Sequence, residues 1–189
     1  GAPSGASIAD QLPLSCNVPD EALYRNIGLT VARGTPIIGL VPPHDVPAVI
    51  VGGGPSIDDE VGRIRELAKT AKVYALNGAG HWLAAHGIPF HAIITLDARP
   101  HNARFVKGLP LDVVAMPASQ CDPSVFEACE GHEILTWHPS MGGKSGVAEN
   151  RATVLIGGGT SCGIRTLRIV HVLGHRTLHL FGYDSSYRE

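Results

Sequence analysis

Three places in this chain combine residue types that handle phosphate chemistry. The first is Gly52-Gly53-Gly54-Pro55-Ser56. Glycines let backbone N–H groups approach an anion, and a helix starting behind them adds about half a positive charge. The Ser56 hydroxyl can donate to a phosphate oxygen. The same run also suits a tight turn with no ligand. The second place is Gly157-Gly158-Gly159-Thr160-Ser161, which repeats the order of glycines and hydroxyls. It suits a second phosphate or a lid over a base, and equally a plain helix cap. The third is a pair of carboxylates, Asp97 and Asp184. Such groups bind Mg²⁺, often through waters, or accept a hydrogen bond from a ribose or substrate. As structure alone, Asp97 would cap a helix and Asp184 would sit in a turn. Two carboxylates beside two glycine loops suit metal-assisted chemistry on a phosphorylated donor.

Other chemistries lack their patterns. Gly142-Gly143-Lys144-Ser145 resembles the end of a P-loop, but the glycine due at position 138 is His138. Lys144 and Arg151 remain loop cations that can neutralise phosphate or simply be solvated. A dinucleotide fingerprint would place its third glycine at Ile57 and an acidic residue where Asn77 stands. The ten histidines show no metal-ligand spacing. His101 and His138, near strand ends, are candidates for acid or base. No G-x-S-x-G elbow supports a hydrolase triad. Cys16, Cys121, Cys129 and Cys162 include no C-x-x-C pair. Cys129 and Cys162, in expected helices, read as small apolar core residues, and the set suits a reducing, cytoplasmic compartment.

These residues need elements to hold them, and the pattern supplies a regular series. Glu21 to Ala32 is expected to be a helix, opened by Asp20 and followed by Gly34. Ala48–Val51 is a short apolar run, the signature of a strand buried on both faces. Ile57, Val61, Ile64, Leu67, Ala68 and Ala71 then form one helical face, with Ser56 as the expected N-cap. Val73–Leu76 is a second strand, ending at Asn77-Gly78. A helix over His81–His86 leads to a third strand, His91–Leu96, which ends at Asp97. Val113–Met116 is the fourth strand, and Asp122 opens a helix over Pro123–Cys129. Glu133–Trp137 is the fifth strand, and 138–150 is expected to be a loop. Thr153–Ile156 leads into the second glycine run. A helix capped by Thr160 or Ser161 then runs to Leu173, and a last strand, Thr177–Phe181, ends at Gly182-Tyr183-Asp184. Strands alternating with helices imply an α/β fold: a Rossmann-like, doubly wound, mostly parallel sheet with helices on both faces. In such sheets the ligand lies beyond the carboxyl ends of the strands, where the candidate residues fall.

Composition narrows the function. The 189 residues suit one domain with an appendage. Residues 1–47 read as an N-terminal arm with a short helix and Pro-rich connector, and 48–189 as the nucleotide-binding domain. A net charge of −2 gives no field to hold nucleic acid, and aromatics at 5% give few stacking surfaces. No apolar run reaches the length of a membrane span, and no signal peptide is evident.

Taken in order, the motifs resemble one family. Val49-Ile50-Val51-Gly52-Gly53-Gly54-Pro55-Ser56-Ile57 is similar to the G-x-G-P-S-L/I segment of the MptE-like 6-hydroxymethylpterin diphosphokinases. Asn77-Gly78 after the second strand, Gly87-Ile88-Pro89 leading to Asp97, and Leu173-Gly174 leading to Gly182-Tyr183-Asp184 follow the same order. The resemblance covers about residues 48–187. It implies a transferase that moves a diphosphate from ATP to 6-hydroxymethyl-7,8-dihydropterin with Mg²⁺. Relatives in flagellin glycosylation imply an alternative, a glycosyltransferase using a CMP-activated nonulosonic sugar. A non-catalytic nucleotide-binding or assembly module is a third reading. Carried over, Gly52–Ser56 would meet phosphates and Asn77 and Gly78 would border the nucleotide. Asp97 would be the metal or donor carboxylate, while Gly158, Gly159, Thr160, Ser161 and Asp184 complete the cleft. The partners expected are a nucleotide and a small-molecule acceptor. The resemblance also predicts further helical sequence beyond Glu189.

Overall fold

The computed structural model describes residues 18–141, 153–159 and 161–184. Helix α1 (Asp20–Arg33) ends at Gly34, whose φ of 67° no side chain adopts readily. Strand β1 (Ala48–Val51) is buried throughout, as its unbroken apolar run requires. Then come α2 (Val61–Leu67), β2 (Lys72–Leu76), α3 (Ala79–Ala85) and β3 (Ala92–Thr95). They are followed by β4 (Val114–Pro117), α4 (Pro123–Ala128), β5 (His138–Pro139) and β6 (Leu155–Ile156). Helix α5 (Cys162–Val172) and strand β7 (Leu178–Phe181) complete the series.

Five strands form one parallel sheet in the order β4-β3-β2-β1-β7. Val49 stands opposite Val73, Tyr74 opposite Ala92, Ile94 opposite Met116 and Ile50 opposite Leu180. The chain walks outward from β1 to β4, then returns to add β7 on the other side of β1. With right-handed crossovers, α2 and α3 cover one face and α5, joining in the opposite direction, covers the other. The expected α/β, doubly wound sheet is therefore the observed one. The core lies on both sides of the sheet, around Ile50, Ile64, Ile93, Ile94, Met116, Trp137 and Ile169.

Two expected elements differ. The fifth strand is not continuous over 133–137. Ile134 and Trp137 make isolated parallel bridges to Ala115 and Ala118, and the regular pair is β5 with β6. The cause is Pro117. The Ala115 amide donates to Glu133 O and the Ser119 amide to Trp137 O. The bond due between them would come from residue 117, which has no N–H. His138 and Pro139, expected in a loop, are strand. The second difference is at Ser56. It does not cap an α-helix but lies in a 3-10 helix, Pro55–Asp59, and α2 begins only at Val61.

The N-terminal segment is stitched to the sheet. Asn26 Nδ2 donates to Gln120 O at 3.1 Å and Thr30 Oγ1 to Ser119 O at 2.9 Å, so α1 grips the turn after β4. Leu23 and Ile27 are buried, and the Arg33 guanidinium lies over Phe126. The Val41 amide donates to Val172 O and the His44 amide to Gly174 O.

Candidate functional site

The direction of strand order reverses between β1 and β7, which makes their carboxyl ends the switch point of the sheet. That is where open α/β sheets place ligands. The Gly52–Ser56 run leaves β1 there, and Gly182–Asp184 leaves β7 beside it. The two turns touch backbone to backbone. The Gly52 amide donates to Phe181 O at 2.8 Å and the Gly54 amide to Gly182 O at 3.0 Å. A side chain on Gly52 would stand 2.5 Å from Gly182 O, and one on Gly182, where φ is 67°, would strike Gly52 O. A side chain on Gly54 would run into the Asp184 carboxylate. Gly53 differs: it is exposed, and a Cβ there would meet nothing within 4 Å. Close packing of two turns accounts for the first and third glycines, not the second.

The loop already holds an anion of its own. Ser56 Oγ donates to Asp184 Oδ1 at 2.7 Å, and the Ser56 amide approaches Oδ2 at 3.3 Å. Asp184 and Ser56 are 128 residues apart in the chain. Of the loop amides, those of Gly52, Gly54, Ser56 and Ile57 are engaged within the protein. Pro55 has none. The Gly53 amide has no acceptor among the described residues.

Tyr183 ties the same turn to α5. Its hydroxyl donates to Gly163 O at 3.1 Å, and its ring packs on Gly163. Burial raises the Tyr183 phenol above its ordinary range. At the start of α5, Ser161 is extended and exposed, with no side-chain cap bond. Cys162 Sγ faces Ile94 O at 3.8 Å, and burial pushes this thiol up to about 12. The first turn of α5 thus spans from the β7 turn to the end of β3.

The second glycine run wraps Arg165, which pattern reading does not single out. Gly158 and Gly159 have φ of 123° and 72°. Arg165 is 7% exposed, and its guanidinium points inward. It donates to Gly159 O at 2.6 Å, to Ser140 O at 3.0 Å and to Ile156 O. Burial lowers its affinity for the proton. Arg165 therefore joins the ends of β5 and β6 and sets a positive charge behind the loop.

Asn77 and Gly78 stand at the end of β2. Asn77, at φ 49°, is the one non-glycine residue with positive φ among those described. Its amide still donates to Ile94 O, so the kink begins where pairing ends. Asp97, two strands from β1, lies roughly 10 Å along the sheet edge. Arg99 Nε meets both Asp97 oxygens at 2.9 Å, Arg99 Nη2 joins them, and the Arg99 amide donates to Oδ1 at 2.9 Å. Burial would raise this carboxyl, but the hydrogen bonds and charge of Arg99, with a bond from Asn102, outweigh it and hold it below the usual range. With both oxygens on a guanidinium, Asp97 as placed does not fit a resident Mg²⁺. Among the described residues no group of three or more His, Cys, Asp and Glu could hold a metal ion.

The structure thus joins Gly52, Gly54, Ser56 and Asp184 by direct contact, and α5 with Ser161 through Tyr183. Asn77, Gly78 and Asp97 line the same edge. Thr160, Cys16, Lys144 and Arg151 lie outside the described residues. Arg99 and Tyr183 carry no motif; only the folded turns reveal them. His101 is exposed, whereas His138 is 1% exposed. Two surface cavities, of about 470 and 440 Å³, lie elsewhere: one beside Lys107 and Glu127, the other at the amino ends of β2 to β4 beside Tyr74 and His91. The position of the chemistry argues for the strand ends over either cavity. Among the described residues no helix is long and apolar enough to cross a membrane.

Comparison with known proteins agrees with the fold. No curated protein matches the chain. A solved structure, the MAf glycosyltransferase from Magnetospirillum magneticum AMB-1, is similar in fold, with a TM-score of 0.74 at 19% identity. The match covers 93% of this chain and 29% of that one, so the chain spans under a third of that protein's length. The model of one family matches residues 23–189, from α1 through the β7 turn that meets Ser56. The chain belongs to the 6-hydroxymethylpterin diphosphokinase MptE-like family.

Proposed function

We propose that the chain is the nucleotide-binding part of a cytoplasmic transferase, and that it moves a diphosphate from ATP to the hydroxyl of 6-hydroxymethyl-7,8-dihydropterin. The observation that carries this reading is the meeting of the Gly52–Ser56 and Gly182–Asp184 turns at the reversal of strand order. A donor phosphate would sit against the exposed Gly53 backbone and compete with Asp184 for the Ser56 hydroxyl. Asn77 and Gly78 would border the nucleoside. Gly158, Gly159, Thr160 and Ser161, backed by the buried Arg165 charge, would take a further phosphate. Preset donors and charge, rather than covalent catalysis, would stabilise the transferring group. The family description supports the pterin substrate.

A second reading has the same seat holding a CMP-linked sugar. It is favoured by the likeness in fold to a protein titled a glycosyltransferase. Calorimetry with ATP and with CMP separates the two. Incubation with ATP and the pterin alcohol, with and without Mg²⁺, should release AMP. ATP binding with no AMP release would reject the diphosphokinase reading, and CMP binding without ATP binding would favour the sugar donor.

A further inference from the structure

We propose that Ser119 and His138 form a buried subsite for a hydroxyl group of the acceptor, and that His138 takes the proton this hydroxyl loses on transfer. The proposal rests on the transferase reading. Ser119 is 0% and His138 1% exposed. Yet among the described residues Ser119 Oγ and both ring nitrogens of His138 have no hydrogen-bond partner. Other buried polar side chains nearby are satisfied: Asn26, Thr30 and Gln120 each bond a carbonyl. An orphaned buried polar atom keeps its full desolvation cost, so three in two residues call for a missing group.

The two residues are in step. Ala118 pairs with Trp137 in parallel, and the Ser119 amide donates to Trp137 O at 2.8 Å, so Ser119, first in the turn after β4, follows in register with His138 at the start of β5. Both stand at the carboxyl ends, the side of the sheet that carries Asp97. Ser119 is fixed from behind by Thr30, and Gln120 Nε2 donates to Leu96 O at 2.9 Å, beside Asp97. A hydroxyl is both donor and acceptor. The serine hydroxyl and an imidazole nitrogen answer both needs. Burial lowers the proton affinity of His138, so its ring is neutral at physiological pH and able to accept.

The step balances. The acceptor oxygen bonds to the β-phosphorus of ATP, held at the second glycine run, which Arg165 ties to Ser140 two residues from His138. The bond from that phosphorus to the α,β-bridging oxygen breaks, and this oxygen leaves on AMP. The hydroxyl proton passes to a His138 nitrogen.

Water offers the same hydroxyl chemistry, and the test separates the two sources. The ¹⁵N ring resonances of His138 are followed on adding 6-hydroxymethyl-7,8-dihydropterin alone, so this arm does not depend on ATP. In parallel, AMP release is measured for His138→Gln and Ser119→Ala, with ATP affinity by calorimetry. The expected results are ring shifts with the pterin alcohol and a fall in kcat of about 100-fold or more for His138→Gln. The acidic limb of the pH profile is lost in that variant, and ATP affinity changes less than twofold. Ser119→Ala should raise the acceptor KM with a smaller effect on kcat. Ring resonances indifferent to the alcohol, or variants that change melting temperature but not turnover, would leave a structural water only and overturn the subsite. Ring shifts in a chain that binds no ATP would keep the subsite and reject the donor reading.

Discussion

In the proposed reading Asp184 holds the position the donor phosphate would take, and this sets the sign of its substitution. Its carboxylate accepts from Ser56 Oγ and lies against Gly54. A phosphate entering this seat must displace a like charge. Asp184→Asn should therefore tighten binding of ATP, or of inorganic pyrophosphate as a probe, several-fold by calorimetry, while Ser56→Ala weakens it. Weaker binding in Asp184→Asn would mean that the carboxylate helps hold the donor instead. Asp97 shows the same limit on reading single residues. Its carboxylate type was legible at a strand end, and Arg99 two residues on was visible too. That the turn folds this guanidinium onto both oxygens depends on backbone angles that no spacing encodes.

At the scale of elements, local pattern was a good guide wherever one interaction dominated. The apolar run Ala48–Val51 is β1 because burial on both faces decides it, and Gly34 ends α1 because a positive φ decides that. Prediction weakened where distant partners decide. Pro117 was plain in the sequence, but its missing N–H matters only because residues 133–137 lie on that side of β4. Ser56 looked like a cap because its true partner is 128 residues away. The glycine run gives a paired prediction. Gly54→Ala should cost roughly 1–3 kcal/mol in denaturant unfolding, since its methyl displaces Asp184 and crowds Gly182 O. Gly53→Ala should fold with little loss, its site being open, and should weaken donor binding if that backbone faces the donor. Arg165→Leu should also destabilise the chain, by about 2–4 kcal/mol, because three inward carbonyls lose their donor. Hydrogen exchange should show the loss concentrated at Ser140 and Ile156.

For the whole molecule, fold class was legible because alternation of strand and helix is a global signal. The meeting of β1 and β7 was not, since strand order is absent from the pattern. Stability as a function of pH is a property of this scale as well. Burial lowers the proton affinities of His91, His138 and His175. His175 links Val46 O to the Tyr74 hydroxyl, whose own value burial pushes up to about 12. Each histidine takes a proton more readily unfolded than folded. Their contribution is complete above the ordinary imidazole value, near 6.5, and declines as pH falls through and below it. Asp97 adds a second loss at lower pH: its depressed carboxyl contributes above the ordinary carboxylate value and ceases to as pH falls through the folded one. Melting temperature should accordingly be highest above about pH 7 and fall toward pH 5, less steeply in His175→Gln. A flat profile would show that these rings are solvated.

The short turn after β7 holds Ser56 with Asp184 and Gly163 with Tyr183, on adjacent residues. Whatever pulls one of these ties strains the other. Occupancy of the two proposed seats, beside β1 and at the head of α5, should therefore be energetically linked, and linkage is reciprocal: a compound filling either would alter the affinity of the other by the same factor.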